Sequence, residues 1–270
     1  MSAHLTSSDG MQRITSLLTS WDVHAHAEHV TVIDSSNTEL MRRARAGDHR
    51  TCLLLADEQT AGRGRLGRQW QGRPGDALTF SLGLSMSPTD WSGLSLAVGC
   101  CLADALDPSH DKNIGLKWPN DLLLGNWTHP RKLGGILIET LVKQGPPEAS
   151  RYVVIGIGLN LSAPTAGEYR STPAGLREVS GEQLTTVDVL QTVLPGLLKG
   201  LKQFERAGFA VFQQAFERRD VLSGQALQLS DGTRGTSLGV NTQGVLQLQT
   251  EHGQVQVSSD EVSVLPVEAA

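Results

Sequence analysis

Arginine and glycine alternate in residues 62–68, which read GRGRLGR. Arginine carries a permanent positive charge and a fork of donors that matches phosphate or carboxylate oxygens. Glycine lets the main chain adopt unusual angles and approach a ligand closely. The whole chain is acidic, with 28 Asp and Glu against 23 Lys and Arg, so this positive charge is a local feature. The segment predicts a loop that is mobile when empty and ordered by a small polyanion; a solvated basic loop is the alternative.

The same glycines match the GxGxxG pattern of dinucleotide-binding folds. That fold needs a helix directly after the pattern and an acidic residue about 20 positions later. Here GRPGD and a strand-like run follow instead. The GxxxxGK[ST] phosphate loop is also absent from the sequence. Neither of these two nucleotide folds is therefore predicted.

Residues 117–121 read KWPND and place a cation, an amide and a carboxylate at the end of an apolar run. That mixture suits a nucleoside triphosphate, with Lys117 for phosphate and Asp121 for Mg²⁺. An ordinary turn with Trp118 in the core is the alternative, because turns favour Pro, Asn and Asp. Trp70 also has two interpretations: it is either a core anchor or a flat lid over a bound base.

Two pairs of glycines interrupt apolar strands, Gly134 and Gly135 in RKLGGI and Gly156 and Gly158 in GIGLN. Glycine weakens a strand unless a ligand or another part of the chain must approach its backbone. A bulge or tight packing explains either pair alone, and the two together favour a ligand cleft. Lys132 is expected beside the first pair.

Composition excludes several classes of protein. A net charge of −5 argues against a general nucleic-acid binder. The sequence has no run of about 18 apolar residues and a poor signal peptide, so no membrane span is expected. Its three cysteines lie in apolar runs and predict buried free thiols, as in a cytoplasmic protein. The irregular spacing of His24, His26 and His29, with no acidic or cysteine ligand apparent beside them, argues against a metal site.

Periodicity predicts the elements that must position these residues. A strand at HVTVIDSSN leads into a helix that Ser36 or Asn37 would cap. Further apolar runs predict strands around residues 51–58, 77–86 and 151–162, and a hairpin spans 122–142 with its loop near Gly125–Arg131. From about Gln225 the pattern alternates with period two, which predicts a small module of five strands. We therefore expect an α/β domain with a mixed sheet over residues 1–221 and a β domain over 222–270.

The motifs GRGRLGR, KWPND, KLGGILIE and GIGLN, in that order, resemble those of biotin protein ligases. Upstream, IDSSN and ADEQTAGRG resemble the family's serine–threonine turn and its glutamine-bearing segment. The resemblance is clear over residues 30–160 and extends to the C-terminal module, where it implies an SH3-like β domain. Lipoate ligases share the general fold but usually lack the GRGR and KWPND forms.

The resemblance implies an ATP-dependent ligase. Biotin's carboxylate attacks the α-phosphate of Mg-ATP to give biotinyl-5′-AMP and pyrophosphate. A lysine of a biotin carboxyl carrier protein, of acetyl-CoA carboxylase or a related carboxylase, then attacks the anhydride and AMP leaves. ATP, Mg²⁺ and biotin, as substrate, are the small molecules expected.

The resemblance implies roles for the residues that match the family's motifs. The implied catalytic residues are Lys132 and Arg65. The implied biotin contacts are Ser35, Ser36, Gln59, Gly62, Arg63, Arg65, Lys132, Gly134, Gly156 and Gly158. The implied nucleotide contacts are Arg63, Arg68, Trp70, Lys117, Asn120, Asp121 and Asn160, with Asp121 also the metal ligand. Ser36 stands where threonine is common in the family.

Only about 30 residues precede the first predicted strand, roughly half of what a winged helix-turn-helix needs. We therefore expect a short form without the N-terminal DNA-binding domain and with no DNA partner. The resemblance, rather than any residue pattern, implies a homodimer through the edge of the central sheet. Two rivals stay open. One is a lipoate or octanoyl transferase on the same scaffold, and the other is a DNA-binding sensor of biotinyl-AMP.

Overall fold

The computed structural model describes residues 8–125, 128–142, 150–165, 171–257 and 264–266. The helices are α1 (Ser8–Trp21), α2 (Ser36–Arg45), α3 (Leu94–Leu106), α4 (Arg177–Ser180), α5 (Thr186–Ala207) and α6 (Gln213–Glu217). The strands are β1 (His26–Ile33), β2 (Cys52–Gln59), β3 (Ala77–Met86), β4 (Ile114–Lys117), β5 (Asp121–Leu124), β6 (Arg131–Val142), β7 (Arg151–Asn160), β8 (Ala226–Leu229), β9 (Arg234–Val240), β10 (Leu246–Thr250), β11 (Gly253–Val257) and β12 (Val264–Pro266).

Seven strands form one mixed sheet in the order β1-β2-β3-β7-β6-β5-β4. The pair β1–β2 is parallel because α2 carries the chain back between them, and the other neighbours are antiparallel. The central strands β3 and β7 read as continuous apolar runs because helices cover both faces of the sheet. The predicted mixed sheet and the hairpin of β5 and β6 are confirmed. The predicted hairpin loop near Gly125–Arg131 lies partly outside the described residues.

The N-cap of helix α2 lies one or two residues earlier than predicted, at Ser35 rather than at Ser36 or Asn37. Ser35, with φ −162° and ψ 129°, is the N-cap, and its side chain accepts from Thr38 N at 3.4 Å. The predicted caps, Ser36 and Asn37, lie in the first turn and are buried. The prediction was wrong because both side chains already bond to strands of the sheet. The helix start therefore aims two consecutive polar side chains, Ser36 and Asn37, toward the sheet.

An N-terminal helix was missed in a stretch that reads as polar. In α1, Ile14 and Leu18 lie one turn apart and both are fully buried. This helix packs on α5 and β1. A sparse apolar stripe among threonines and serines was too weak a signal to predict it.

The remaining strands form a five-stranded antiparallel sheet in the order β11-β10-β9-β8-β12. Its apolar residues Leu227, Leu246 and Leu248 belong to the same core as the large sheet. The Trp118 indole nitrogen donates to Gly244 O at 3.1 Å, so the second sheet anchors the KWPND turn. The SH3-like form of this unit and the domain boundary at residue 222 stay predictions.

The cysteines are free thiols, as predicted, with Cys52 and Cys100 buried and Cys101 half-buried. Burial raises the pKa of Cys52 and of Cys101 to about 12. Among the described helices, none combines the length and apolar character that crossing a membrane requires.

Candidate active site

A cavity of about 730 Å³ opens beside the ends of β1, β2, β5 and β7. Almost all of the predicted site residues line it, although they come from segments as far apart as residues 35 and 160. The predicted residues in its lining are Ser35, Ser36, Gln59, Arg63, Arg65, Arg68, Trp70, Lys117, Asn120, Asp121, Lys132, Gly156, Gly158 and Asn160. Gly62 and Gly134 are not among the lining residues. Their part in binding biotin stays a prediction.

The arginine-rich loop at the cavity has a defined path. Arg63 and Gln69 pair as an isolated antiparallel bridge, and Gly64 N donates to Arg68 O at 2.7 Å. Between them Leu66 has φ 55° and ψ 39°, a left-handed geometry that is uncommon outside glycine. The loop is thus a short hairpin that carries its arginines to the cavity. Its predicted mobility in the empty protein stays a prediction.

The inner end of the cavity is polar but uncharged. Ser36 N donates to Gln59 Oε1 at 2.7 Å, and Ser36 Oγ lies 2.9 Å from the same oxygen. Ser36 Oγ and Ser81 Oγ are 2.7 Å apart, and Ser81 Oγ lies 2.6 Å from Asn37 Oδ1. Buried polar groups need partners, and this cluster supplies them from two strands and one helix. Hydrogen-bonding ligand groups would meet a preformed surface here.

The other end of the cavity is cationic. Lys132 Nζ donates to Asp121 Oδ1 at 2.6 Å, and both side chains are largely buried. Burial lowers the pKa of Lys117, and the positive charges of Lys132 and Arg68 lower it further, while Asp121 acts in the opposite direction. Lys117, Lys132 and Arg68 thus lie close enough to influence one another, and Asp121 bonds to Lys132 among them. Such an excess of positive charge suits a ligand with several phosphate groups.

Two predicted nucleotide contacts help to fix Lys132. The Asn120 side chain donates to Ile136 O at 2.8 Å, which ties the KWPND turn to β6. The Asn160 side chain donates to Lys132 O at 3.3 Å, and Lys132 N donates to Thr172 O at 2.7 Å. The main chain of Lys132 is therefore bonded on both sides. A lysine on such a support projects its ammonium into the cavity from a fixed base.

The glycines of β7 make room for side chains of the site itself. A Cβ on Gly158 would collide with the Trp70 indole, and one on Gly156 would collide with the Asn37 amide. Trp70 Nε1 also donates to Thr79 Oγ1 at 3.2 Å, which fixes the plane of the ring. The tight packing predicted as one explanation of these glycines is confirmed, and both glycines also line the cavity; that a ligand binds against them stays a prediction. Trp70 forms one flat wall of the cavity.

Away from the cavity, His26, Glu28 and Cys52 place their ligand atoms within 4.8 Å of one another. Glu28, two residues after His26, was not among the ligands expected from the sequence. Arg43 bonds to both oxygens of Glu28, at 2.7 and 2.9 Å. Because the guanidinium takes the carboxylate and adds positive charge, this cluster is an ion pair rather than a cation site.

Sequence reasoning missed three residues of the site. Asn37 and Ser81 line the cavity, and Glu139 bonds to Arg63 Nη1 at 2.9 Å from beside it. Ser81 and Glu139 do leave a signal, because each is one of two polar residues in a largely apolar strand segment, LTFSLGL and GILIETL. Asn37 was considered only as a helix cap.

Comparison with known proteins gives concordant results. Residues 30–160 match the model of the Biotin/lipoate A/B protein ligase family. The bifunctional ligase/repressor BirA of Escherichia coli is 32% identical over 229 residues, which cover 82% of this chain and 68% of BirA. The biotin–[acetyl-CoA-carboxylase] ligase of Paracoccus denitrificans is 30% identical over 239 residues, covering 85% of this chain and 96% of that one. Among solved structures, the biotin protein ligase from Aquifex aeolicus in complex with biotin and ATP superposes with a TM-score of 0.73 at 27% identity, covering 89% of this chain and 99% of that chain.

Proposed function

The chain belongs to the Biotin/lipoate A/B protein ligase family and is a biotin–protein ligase, and from that premise we propose that it attaches biotin to one lysine of a biotin carboxyl carrier protein through biotinyl-5′-AMP. The observation that carries the proposal is a single cavity with an uncharged hydrogen-bonding end and a cationic end that meet near Lys132. An acyl-adenylate has the same division, since its acyl part is neutral and its phosphate is anionic.

Biotin would lie with its ureido head on the uncharged end. Ser35, Ser36 and Gln59 meet there, and the donors and acceptors of a ureido group need partners once they leave water. The valeryl chain would then pass Gly156 and direct the carboxylate toward Lys132. This placement also matches the neutral side chains of Ser35, Ser36 and Gln59, which line the inner end.

ATP would occupy the cationic end. Arg68, Lys117 and Lys132 surround the space beside Asp121, so a triphosphate there would relieve the mutual repulsion of the three cations. The adenine would stack on Trp70. A hydrogen bond from the indole nitrogen to Thr79 and close packing against Gly158 fix the position of this ring. Asn120 and Asn160 would act mainly by holding the backbone of β6 in place.

Magnesium is expected with ATP, and Asp121 fits it in part. Mg²⁺ in nucleotide sites takes one or two carboxylates, with phosphate and water as its other ligands. Asp121 would supply one such oxygen, sharing its carboxylate with Lys132. When bound, the ion would neutralise phosphate charge. No second acidic residue is among the lining residues in the described part of the chain.

In the first step the biotin carboxylate attacks the α-phosphate and pyrophosphate leaves. Lys132 would bridge the two negatively charged reactants, which otherwise repel each other. Arg63 and Arg65 would add charge from the loop and, with the loop closed, keep water from the anhydride. In the second step the amine of the acceptor lysine attacks the acyl carbon, and AMP leaves with the pair of electrons.

Biotin-dependent exchange of labelled pyrophosphate into ATP tests the first step, and transfer of labelled biotin to a carboxyl carrier domain tests the second. Lipoate in place of biotin is the control, and it should support no exchange. Exchange with lipoate alone would replace this proposal by the rival transferase. A gel shift with DNA in the presence of biotinyl-AMP tests the sensor alternative, and we expect no shift. We also propose that the protein is cytoplasmic. Gel filtration would test the proposed homodimer.

A further inference from the structure

Glu139 joins the arginine loop to the first turn of α2. Its Oε1 accepts from Arg63 Nη1 at 2.9 Å, and its Oε2 accepts from Asn37 Nδ2 at 3.1 Å. The carboxylate is about 20% exposed, while the Arg63 side chain is about 50% exposed. One partly buried anion thus has a partner in each of two separate segments of the site.

The orientation of the Asn37 amide follows from these contacts. Its nitrogen faces two acceptors, Glu139 Oε2 and, at 3.3 Å, Leu137 O. Turning the amide over would place an oxygen against both of them, so Nδ2 must lie on this side. The missing side chain of Gly156 leaves the space that the amide fills.

That orientation in turn sets the hydroxyl proton of Ser81 at the inner end of the cavity. Asn37 Oδ1 faces Ser81 Oγ at 2.6 Å, so Ser81 donates to it. The hydroxyl of Ser36 has two acceptors in reach, Gln59 Oε1 at 2.9 Å and Ser81 Oγ at 2.7 Å. Because the proton of Ser81 is used on Asn37, Ser81 does not donate to Ser36. Lone pairs of the Ser36 oxygen are therefore presented to the N–H groups of a ligand.

We propose that Glu139 is a positioning residue for biotin, which holds Arg63 with one carboxylate oxygen and, through Asn37, fixes with the other the direction of the hydrogen bond that Ser81 donates. The inference rests on the proposed function, since it assumes that biotin occupies the inner end of the cavity. Glu139 touches no reacting atom in this arrangement. Its removal should therefore affect the binding of biotin more than that of ATP.

The test compares E139Q with the parent protein in pyrophosphate exchange, with biotin and ATP varied separately. Glutamine has the same shape but no charge, and its amide end cannot accept from both partners. We expect the KM for biotin to rise roughly 10- to 100-fold and the KM for ATP to stay within about twofold. E39Q is the matched control, because Glu39 also bonds to arginines from α2 but lies outside the cavity lining. It should behave as the parent.

A double-mutant cycle with R63M tests the link to the loop. If Glu139 acts through Arg63, the fold-change in biotin KM for R63M/E139Q should be clearly smaller than the product of the two single changes. A purely structural role would instead lower the melting temperature and leave both KM values unchanged. Should E139Q fail to fold, E139D replaces it, since the shorter side chain cannot reach both partners and predicts the same selective rise.

An unchanged biotin KM in folded E139Q or E139D would overturn the inference, as would equal rises in the KM for biotin and for ATP. Multiplicative effects in the cycle would remove the link to Arg63. Failure of the proposed function is distinguishable, because the parent protein itself would then show no biotin-dependent exchange.

Discussion

Lys132 and Asp121 lie on neighbouring antiparallel strands, and an irregularity between the strands brings their charges together. Asp121 pairs with Gly135 and Leu122 with Gly134, but the next residue, Leu123, pairs with Lys132. Leu133 is the extra residue on β6, and such bulges re-aim side chains. The result is a contact of 2.6 Å between Lys132 Nζ and Asp121 Oδ1.

Lys132→Ala should nearly abolish formation of the adenylate while leaving the fold intact. The ammonium is placed to bridge two anionic reactants, and loss of such a group commonly costs about 10²- to 10³-fold in rate. The ion pair is partly exposed to solvent, so its loss should change the free energy of unfolding by no more than about 1 kcal/mol. Pyrophosphate release and thermal unfolding measure the two effects.

Lys202→Ala is the control for that substitution, because Lys202 lies over the Trp21 ring, 5.2 Å from its centroid and outside the lining of the active-site cavity. Release of pyrophosphate at the parental rate by Lys132→Ala would remove Lys132 from the mechanism.

Gly158→Ala should weaken ATP binding by displacing Trp70. The added methyl group would overlap the indole, and overpacking of this kind costs about 1–3 kcal/mol. The ring would have to leave the hydrogen bond to Thr79, so we expect the affinity for ATP to fall about tenfold or more. Calorimetric titration with ATP and with biotin, done separately, gives the measurement.

Gly196→Ala provides the matched comparison, since its new methyl group would meet no atom closer than 3.7 Å and lies in α5. Equal ATP affinities in Gly158→Ala and Gly196→Ala would show that Trp70 is not the wall on which the nucleotide stacks.

The sequence predicted which residues line the cavity better than it predicted the contacts that position them. Arg68, Trp70, Lys117 and Lys132 could be found because their neighbours in sequence form motifs, and the structure brings them to one cavity. Trp118 is buried in the core, as one of the two interpretations of KWPND required. That KWPND also binds a nucleotide stays a prediction.

The contacts that could not be predicted from the sequence depend on the register between strands of the sheet. Glu139 meets Arg63 and Asn37 from residues 76 and 102 positions away, and no local pattern encodes that meeting. The start of α2 was misplaced for the same reason, because Ser36 and Asn37 bond across to other strands instead of capping the helix. Strand alternation fixes which side a residue faces, but only the assembled sheet fixes its neighbour.

Asp220 should make the protein less stable as the pH rises. Burial raises the pKa of its carboxyl to about 6, above the value of roughly 4 in an unfolded chain. The folded state therefore holds the proton more tightly, so this contribution to stability is complete below about pH 4 and is lost as the pH rises through 6. Asp220→Asn keeps an oxygen that accepts from Leu222 N and removes the ionisation.

We expect Asp220→Asn to gain about 1–2 kcal/mol in unfolding free energy over the parent at pH 8 and to match it near pH 4. Urea denaturation at the two pH values measures the difference, and the slope of the transition should not change. A constant difference at both pH values would mean that Asp220 ionises freely in the folded protein.

Arg65→Gly should form the adenylate but release it too quickly. Arg65 lines the cavity from the one-turn helix of the loop, next to the left-handed Leu66. Charge-assisted contacts of a guanidinium to a phosphate raise affinity by roughly 10- to 100-fold, so the dissociation rate of biotinyl-AMP should rise by about that factor. Rapid gel filtration of preformed labelled adenylate measures the rate.

Leu66→Gly is the control, because it loosens the same loop without removing charge. The left-handed geometry of Leu66 suits glycine, so the dissociation rate of the adenylate should stay within about threefold of the parent. If both variants lose the adenylate equally fast, the loop acts through its shape and the charge of Arg65 contributes little. If neither differs from the parent, the anhydride is held by the cavity walls alone.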